Sequence, residues 1–256
     1  MVSATHRPSV LPPKTTAASQ PARPLGHRAP SLRRRSVLTT LGTLSSAAAL
    51  GFAAAGLGLV GVARAMSTPD VGLLTRRGMA KFVRGDVEGS LEDFDSVLAS
   101  APQQRPYLWQ RGLSLYYVER YADGAQQFRD DVAVNPNDTE ESIWALLCEA
   151  RLEGFDAAQA KMLRVGRDSR PVMRAAYELF QGVGTLEQLR AAAAGGPHDA
   201  FYGALYEALY AEAKGDAAAA RTAILAAVAT PYAQGSSDYM AALARVHAQR
   251  RGWLAA

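Results

Sequence analysis

The chain has 256 residues, with 28 Lys and Arg against 24 Asp and Glu, a formal charge of +4 and a single cysteine, Cys148. Eight of the basic residues, Arg7, Lys14, Arg23, Arg28, Arg33, Arg34, Arg35 and Arg64, precede the first acidic residue, Asp70. Setting them aside leaves 20 basic against 24 acidic residues, about −4, so the remainder carries no basic nucleic-acid footprint; one cysteine also excludes an intrachain disulfide or a cysteine-built metal centre.

Residues 2–32 are rich in Ser, Thr, Pro, Ala and Arg and nearly devoid of large apolar side chains, a composition that cannot build a core. Residues 1–35 therefore read as a disordered transit peptide. Arg33, Arg34 and Arg35 then introduce a mildly apolar run, Leu41 to Val62, which ends in Ala63-Arg64-Ala65. Small residues at both outer positions of that triplet suit a signal-peptidase pocket, so residues 36–65 read as a second signal cleaved after Ala65. A twin arginine before such a run resembles a Tat signal, and the tandem resembles the address of a thylakoid-lumen protein of a plant or alga. The alternative is that Leu41 to Val62 stays in the membrane as an anchor, against which stand Thr43, Ser45, Ser46 and the many Gly and Ala residues that weaken its transfer into lipid.

From residue 66 onward the pattern is helical, and no stretch alternates with period two. Three landmarks recur at a spacing of 34: Gly78 and Gly112, Phe94 and Phe128, Pro102 and Pro136. Unit one, Val71 to Gln104, places Leu74, Gly78 and Phe82 on a first helix, turns at Gly85-Asp86, and continues with Leu91, Phe94, Val97 and Leu98. Unit two, Arg105 to Asp138, repeats this with Leu108, Gly112, Leu115 and Tyr116, then Tyr121, Phe128 and Val132, and stops at Asn135-Pro136-Asn137-Asp138. Thr139 reads as the N-cap of unit three, Thr139 to Val172, with Glu140 and Glu141 in the favourable first turn and Phe155, Ala158 and Met162 on a second helix. A shortened fourth unit follows, a helix from Pro171 to Val183 and another from Leu186 to Ala194, before Gly195-Gly196-Pro197. Unit five begins near Asp199 and repeats the early turn as Gly215-Asp216. Its tyrosines, Tyr202, Tyr206 and Tyr210, read as a core seam, and Pro231 as its end. Ser237 to Arg250 reads as a terminal capping helix.

The 34-residue period with these landmarks resembles the tetratricopeptide (TPR) repeat family. The resemblance implies an all-α, right-handed TPR-like α-solenoid with a C-terminal capping helix over residues 66–256, whose first-helix positions 2, 5, 9, 12 and 13 line a concave groove. Those positions place Thr75, Met79, Phe82 and Val83, then Trp109, Leu113, Tyr116 and Tyr117, then Glu140, Ile143, Leu147 and Arg151 in a partner-binding channel. The Lys and Asn of chaperone-binding members are replaced by Thr75 and Met79. Aromatic anchors suit an extended or helical peptide. The stretch Arg105 to Trp144 and the end Asp238-Tyr239-Met240 to Trp253 also resemble plastid and cyanobacterial proteins distantly similar to NlpI-like adaptors, which implies a non-catalytic scaffold.

Catalytic constellations are scarce. After residue 66 only His198 and His247 remain among histidines, and no H-E-x-x-H, phosphate loop or G-x-S-x-G occurs, so no cofactor and no metal are expected. Asp93 with Asp95, and Asp130 with Asp131, read as solvated charged faces, and Cys148 as a buried small hydrophobe. The competing reading is an enzyme that combines His247, Glu207 or Asp238 with the unit-five tyrosines; a second is a membrane-anchored structural repeat protein.

Overall fold

The computed structural model describes residues 70–255, and the two leader segments, including Leu41 to Val62, lie outside the described residues. The described chain is all-α: α1 (Val71–Val83), α2 (Val87–Ser100), a short 3₁₀ helix (Pro102–Tyr107), α3 (Trp109–Tyr117), α4 (Tyr121–Val134), α5 (Thr139–Glu153), α6 (Phe155–Ala160), α7 (Pro171–Phe180), α8 (Leu186–Ala193), α9 (Pro197–Ala213), α10 (Ala217–Ala229), α11 (Pro231–Gly235) and α12 (Tyr239–Arg250). None of these helices is long and apolar enough to cross a membrane.

Aspartates set five of the helix starts. Asp70, Asp86, Asp138, Asp216 and Asp238 each accept a first-turn backbone N–H, and Thr185 with Gln188 forms a full capping box on α8. The cap of α5 is therefore Asp138 rather than Thr139, which becomes its first helical residue. Helix exits repeat as well: Asp86 N–H reaches Lys81 C=O at 3.0 Å, Arg120 reaches Leu115 at 2.9 Å and Asp216 reaches Ala211 at 2.9 Å. The residue before each donor is left-handed, with φ of 86° at Gly85, 63° at Glu119 and 87° at Gly215. One turn geometry thus closes α1, α3 and α9, with glycine at two of the three positions.

Neighbouring helices pack as hairpins, α1 with α2, α3 with α4 and α9 with α10, while α5 touches α3, α4, α6, α7 and α9. The 34-residue landmarks meet inside these hairpins, Gly78 beneath the Phe94 ring and Gly112 beneath the Phe128 ring. Nearly every side chain of α5 from Thr139 to Glu149 is buried, because helices cover it on all sides. The main core runs from Phe82 through α5 and α9 to α12; a smaller one, Leu74, Phe94, Val97 and Leu108, lies between α1 and α2. Tyr202 and Tyr206 are buried and Tyr210 half-buried as a seam, Tyr210 edge-on to Phe155 and Phe180.

Two expectations are corrected. The second helix of unit three ends at Ala160, short of Met162, and residues 161–170 are not helical. Their backbone is held by tertiary hydrogen bonds: Leu163 C=O accepts from Ser142 Oγ at 2.6 Å and Tyr177 Oη at 3.0 Å, and Gly166 N–H donates to Pro136 C=O at 2.8 Å. Unit five ends as expected, α10 stopping at Ala229 just before Pro231, and Pro231 also opens the short α11, its fixed φ suiting a first position. Asp93 and Asp131 are buried, not solvated; Asp93 is clamped by Arg77 at 2.5 Å and Lys81 at 3.2 Å, which hold its carboxyl below the usual range despite burial.

Candidate functional site

The first-helix aromatic residues converge on one place, the face beneath α12. Tyr239, at the start of α12, stacks on Phe82 with ring centroids 5.2 Å apart and meets Trp109 edge-on at 5.3 Å. Behind them Tyr117 packs against Phe82 and Tyr116, and Tyr116 meets Trp144 edge-on at 5.3 Å. Edge and offset contacts of this kind bring the positive rim of one ring to the negative face of another. The end of α12 is fixed by charge. His247 Nδ1 lies 3.0 Å from Tyr117 Oη, and its Nε2 lies 2.9 Å from Glu212 Oε2 but out of line for a hydrogen bond.

Glu212, on α9, also accepts from Arg251 Nε at 2.6 Å, and Arg151 Nη1 stands 3.6 Å away. Burial alone would raise this carboxyl, but His247 and Arg251 outweigh it and bring it down to about 2. Burial lowers His247, Glu212 partly restores it, and Arg251 and Arg151 lower it again, so the imidazole is neutral near pH 7. Arg250 bridges to Glu88 of α2 and donates to Tyr117 C=O at 3.1 Å. The last helix is therefore tied to α1, α2, α3 and α9 by side chains and packs on α10.

This placement corrects the groove expectation. Phe82, Leu113, Tyr116, Tyr117, Ile143 and Leu147 are sealed, each no more than 3% exposed, so they do not line an open channel. The reason is physical: α12 lies across Phe82 and Tyr117, and helices on every side enclose Ile143 and Leu147. Glu140 is half-buried and engaged internally, accepting from Arg170 Nη1 at 2.8 Å and Tyr206 Oη at 3.1 Å. Met79 and Trp109 are half-buried at the edge of the seam, and Arg151 is exposed, its guanidinium 5.3 Å from the Tyr121 ring centroid. Helical periodicity identifies a buried face but not which element covers it, and Tyr239 and His247 carried the only hint.

The residues of the competing enzyme reading have separate partners. His247 faces Tyr117 and Glu212, Glu207 pairs with Arg190, and Asp238 accepts from Tyr202 at 2.9 Å and Tyr232 at 2.8 Å. Cys148 is sealed and burial pushes its thiol up, which leaves it a packing residue. No protein-family model matches the chain, and no curated protein matches it.

Proposed function

We propose that the protein is a non-catalytic interaction scaffold of the thylakoid lumen, a right-handed TPR-like solenoid that accepts a partner helix on its inner aromatic face, where α12 is the resident occupant. The observation that carries this reading is the seating of α12 itself: Phe82, Trp109 and Tyr117 already hold a helix through ring contacts, with a few polar ties at its end. A surface that grips one amphipathic helix has the chemistry to grip another. The recurring turn at Gly85, Glu119 and Gly215 supports the repeat architecture. The partner implied resembles α12 in chemistry: an aromatic residue near its start and basic residues near its end, opposite Glu88 and Glu212. Such a scaffold would serve assembly or turnover of a photosynthetic complex.

The test compares partner recovery from lumen extract on the full chain, on a Tyr239→Ala, Arg250→Ala variant that loosens α12, and on Trp109→Ala. Recovery should rise with the first variant, fall with the second, and be competed by a synthetic peptide of residues 237–255. Equal recovery on all three overturns the reading. The N-terminal residue of the protein isolated from its organism tests the address.

A further inference from the structure

From Asp70 onward the chain is acidic overall, 20 basic residues against 24 acidic, yet Lys161, Arg164, Arg167, Arg170 and Arg174 place five of those 20 within 14 positions. They fall on and just after the stretch between α6 and α7, where residues 162–168 run without helix, turn or bend. The stretch is pinned to the body. Leu163 C=O accepts from Ser142 and Tyr177, Val165 N–H donates to Tyr177 Oη at 3.0 Å, and Gly166 N–H donates to Pro136 C=O at 2.8 Å.

Two of the five cations are neutralised inside the protein: Lys161 pairs with Glu153, and Arg170 with Asp168 and Glu140. The other three are not. Arg164 and Arg167 are exposed, and among the described residues their side chains have no hydrogen bond or ion pair. Arg174 donates Nη1 to the carbonyls of Asp168 and Ser169 at 2.8 and 3.0 Å, which holds its guanidinium in place without a carboxylate.

These three guanidiniums line two adjoining hollows that share Gln181 at the end of α7. The larger, about 250 Å³, has Arg167 and Arg174 on its wall with Val165 between them and the body. The smaller, about 80 Å³, has Arg164 beside Met162 and Val183, the latter 75% exposed. Of the carboxylates on these walls, Asp168 is held by Arg170, and Glu178 offsets one of the three free charges. The hollows therefore favour an anion with an apolar neighbour.

We propose that the two hollows form a docking groove for an acidic peptide segment, with one carboxylate side chain in each hollow and an apolar side chain against Val183. Guanidinium clusters recognise acidic motifs through charge-assisted hydrogen bonds, and a backbone held in advance reduces the ordering cost of binding. Arg164 and Arg167 are three positions apart on an unturned stretch, about 10 Å, which matches acidic residues three positions apart on an extended ligand. None of the groove's residues belongs to the aromatic seam beneath α12, so this site stands apart from the proposed helix-binding face.

Fluorescence anisotropy of the full chain with a labelled peptide, acetyl-Val-Asp-Val-Thr-Asp-Val-amide, tests the groove. Saturable binding is expected below about 1 mM, weakening as NaCl rises from about 50 to about 500 mM. Arg164→Ala and Arg167→Ala should each weaken it about two- to fivefold and together about tenfold, while Arg221→Ala, an exposed arginine of α10, should leave it unchanged. Circular dichroism establishes that the variants, all at exposed positions, are folded. Absence of saturable binding, equal binding of the peptide with Asn in place of both Asp, or an equal loss in Arg221→Ala would overturn the proposal. Displacement of the peptide by glutarate at an equal molar concentration and matched ionic strength would overturn the peptide assignment in favour of a small dicarboxylate. Sedimentation with phosphatidylglycerol vesicles that depends on Arg164 and Arg167, without peptide binding, would overturn it in favour of a lipid surface.

Discussion

At Gly112 an added Cβ would stand 2.6 Å from Phe128 Cζ, with two further ring carbons within 2.9 Å; at Gly78 the nearest ring atom of Phe94 is 2.9 Å away. Both rings are sealed in the core, 1% and 0% exposed, and have little room to retreat. Alanine is the better helix former by about 1 kcal/mol, but overpacking a well-filled site costs about 1–3 kcal/mol. Gly112→Ala should therefore lower stability in urea, and Gly78→Ala should lower it less. A gain at Gly112 would show that Phe128 can move. Glu119 presents the opposite case, since it holds φ at 63° where units one and five use glycine. The left-handed conformation costs a residue with Cβ about 1–2 kcal/mol, partly offset by the greater entropy glycine loses on folding, so Glu119→Gly should raise the urea midpoint by a net amount of up to about 1 kcal/mol. These positions were legible as landmarks at a 34-residue spacing. Gly203 against Ala193 and Gly124 against Cys148 were not, because nothing in a period reports contacts made across unequal units.

Among the elements, boundaries marked by local chemistry were readable and those set by tertiary contact were not. Gly85-Asp86 and Gly215-Asp216 announce a helix stop and the next cap within two residues, and both stand where expected. The early end of α6 follows from Ser142, Tyr177 and Pro136, whose hydrogen bonds to residues 163–166 stabilise a non-helical backbone. The docking of α12 was hidden for the same reason, and it carries a pH dependence. His247 is lowered from 6.5 in the folded protein, so below pH 6.5 the unfolded or undocked helix takes up the proton first. Docking is then at full strength above pH 6.5 and weakens as pH falls toward the folded value. Glu212, at about 2 when folded against 4.5, loses its contribution only below pH 4.5 and leaves this window to the histidine. Glu141 shifts upward and pulls global stability the other way, so the measurement must be local. Hydrogen exchange, corrected for intrinsic rates, should show amides of Leu243 to Ala248 opening more readily at about pH 5.5 than at about pH 7.5 relative to α9, and His247→Gln should abolish the difference. Equal opening at both values would mean that Glu212 compensates the imidazolium fully.

For the whole molecule, α12 changes what kind of object the array of helices is. Hairpins that touch only their neighbours unfold nearly one by one, as a sum of local terms. Here α12 packs on both α1 and α10, and Arg250 reaches Glu88 across 162 residues of sequence. That closure couples the first helical unit to the last and should make unfolding cooperative. A chain ending at Ser236 should keep its helical circular dichroism but lose the coupling. Its urea transition should broaden, with a lower slope, and α1 and α2 should lose protection before α9 and α10. Peptide 237–255 supplied in trans should restore a single steep transition, because the stacking of Tyr239 on Phe82 and the contacts of His247 with Tyr117 and Glu212 need no covalent link. If the shortened chain still unfolds in one sharp step, cooperativity resides in α5 and its surrounding helices. The aromatic face beneath α12 would then act as a docking surface alone.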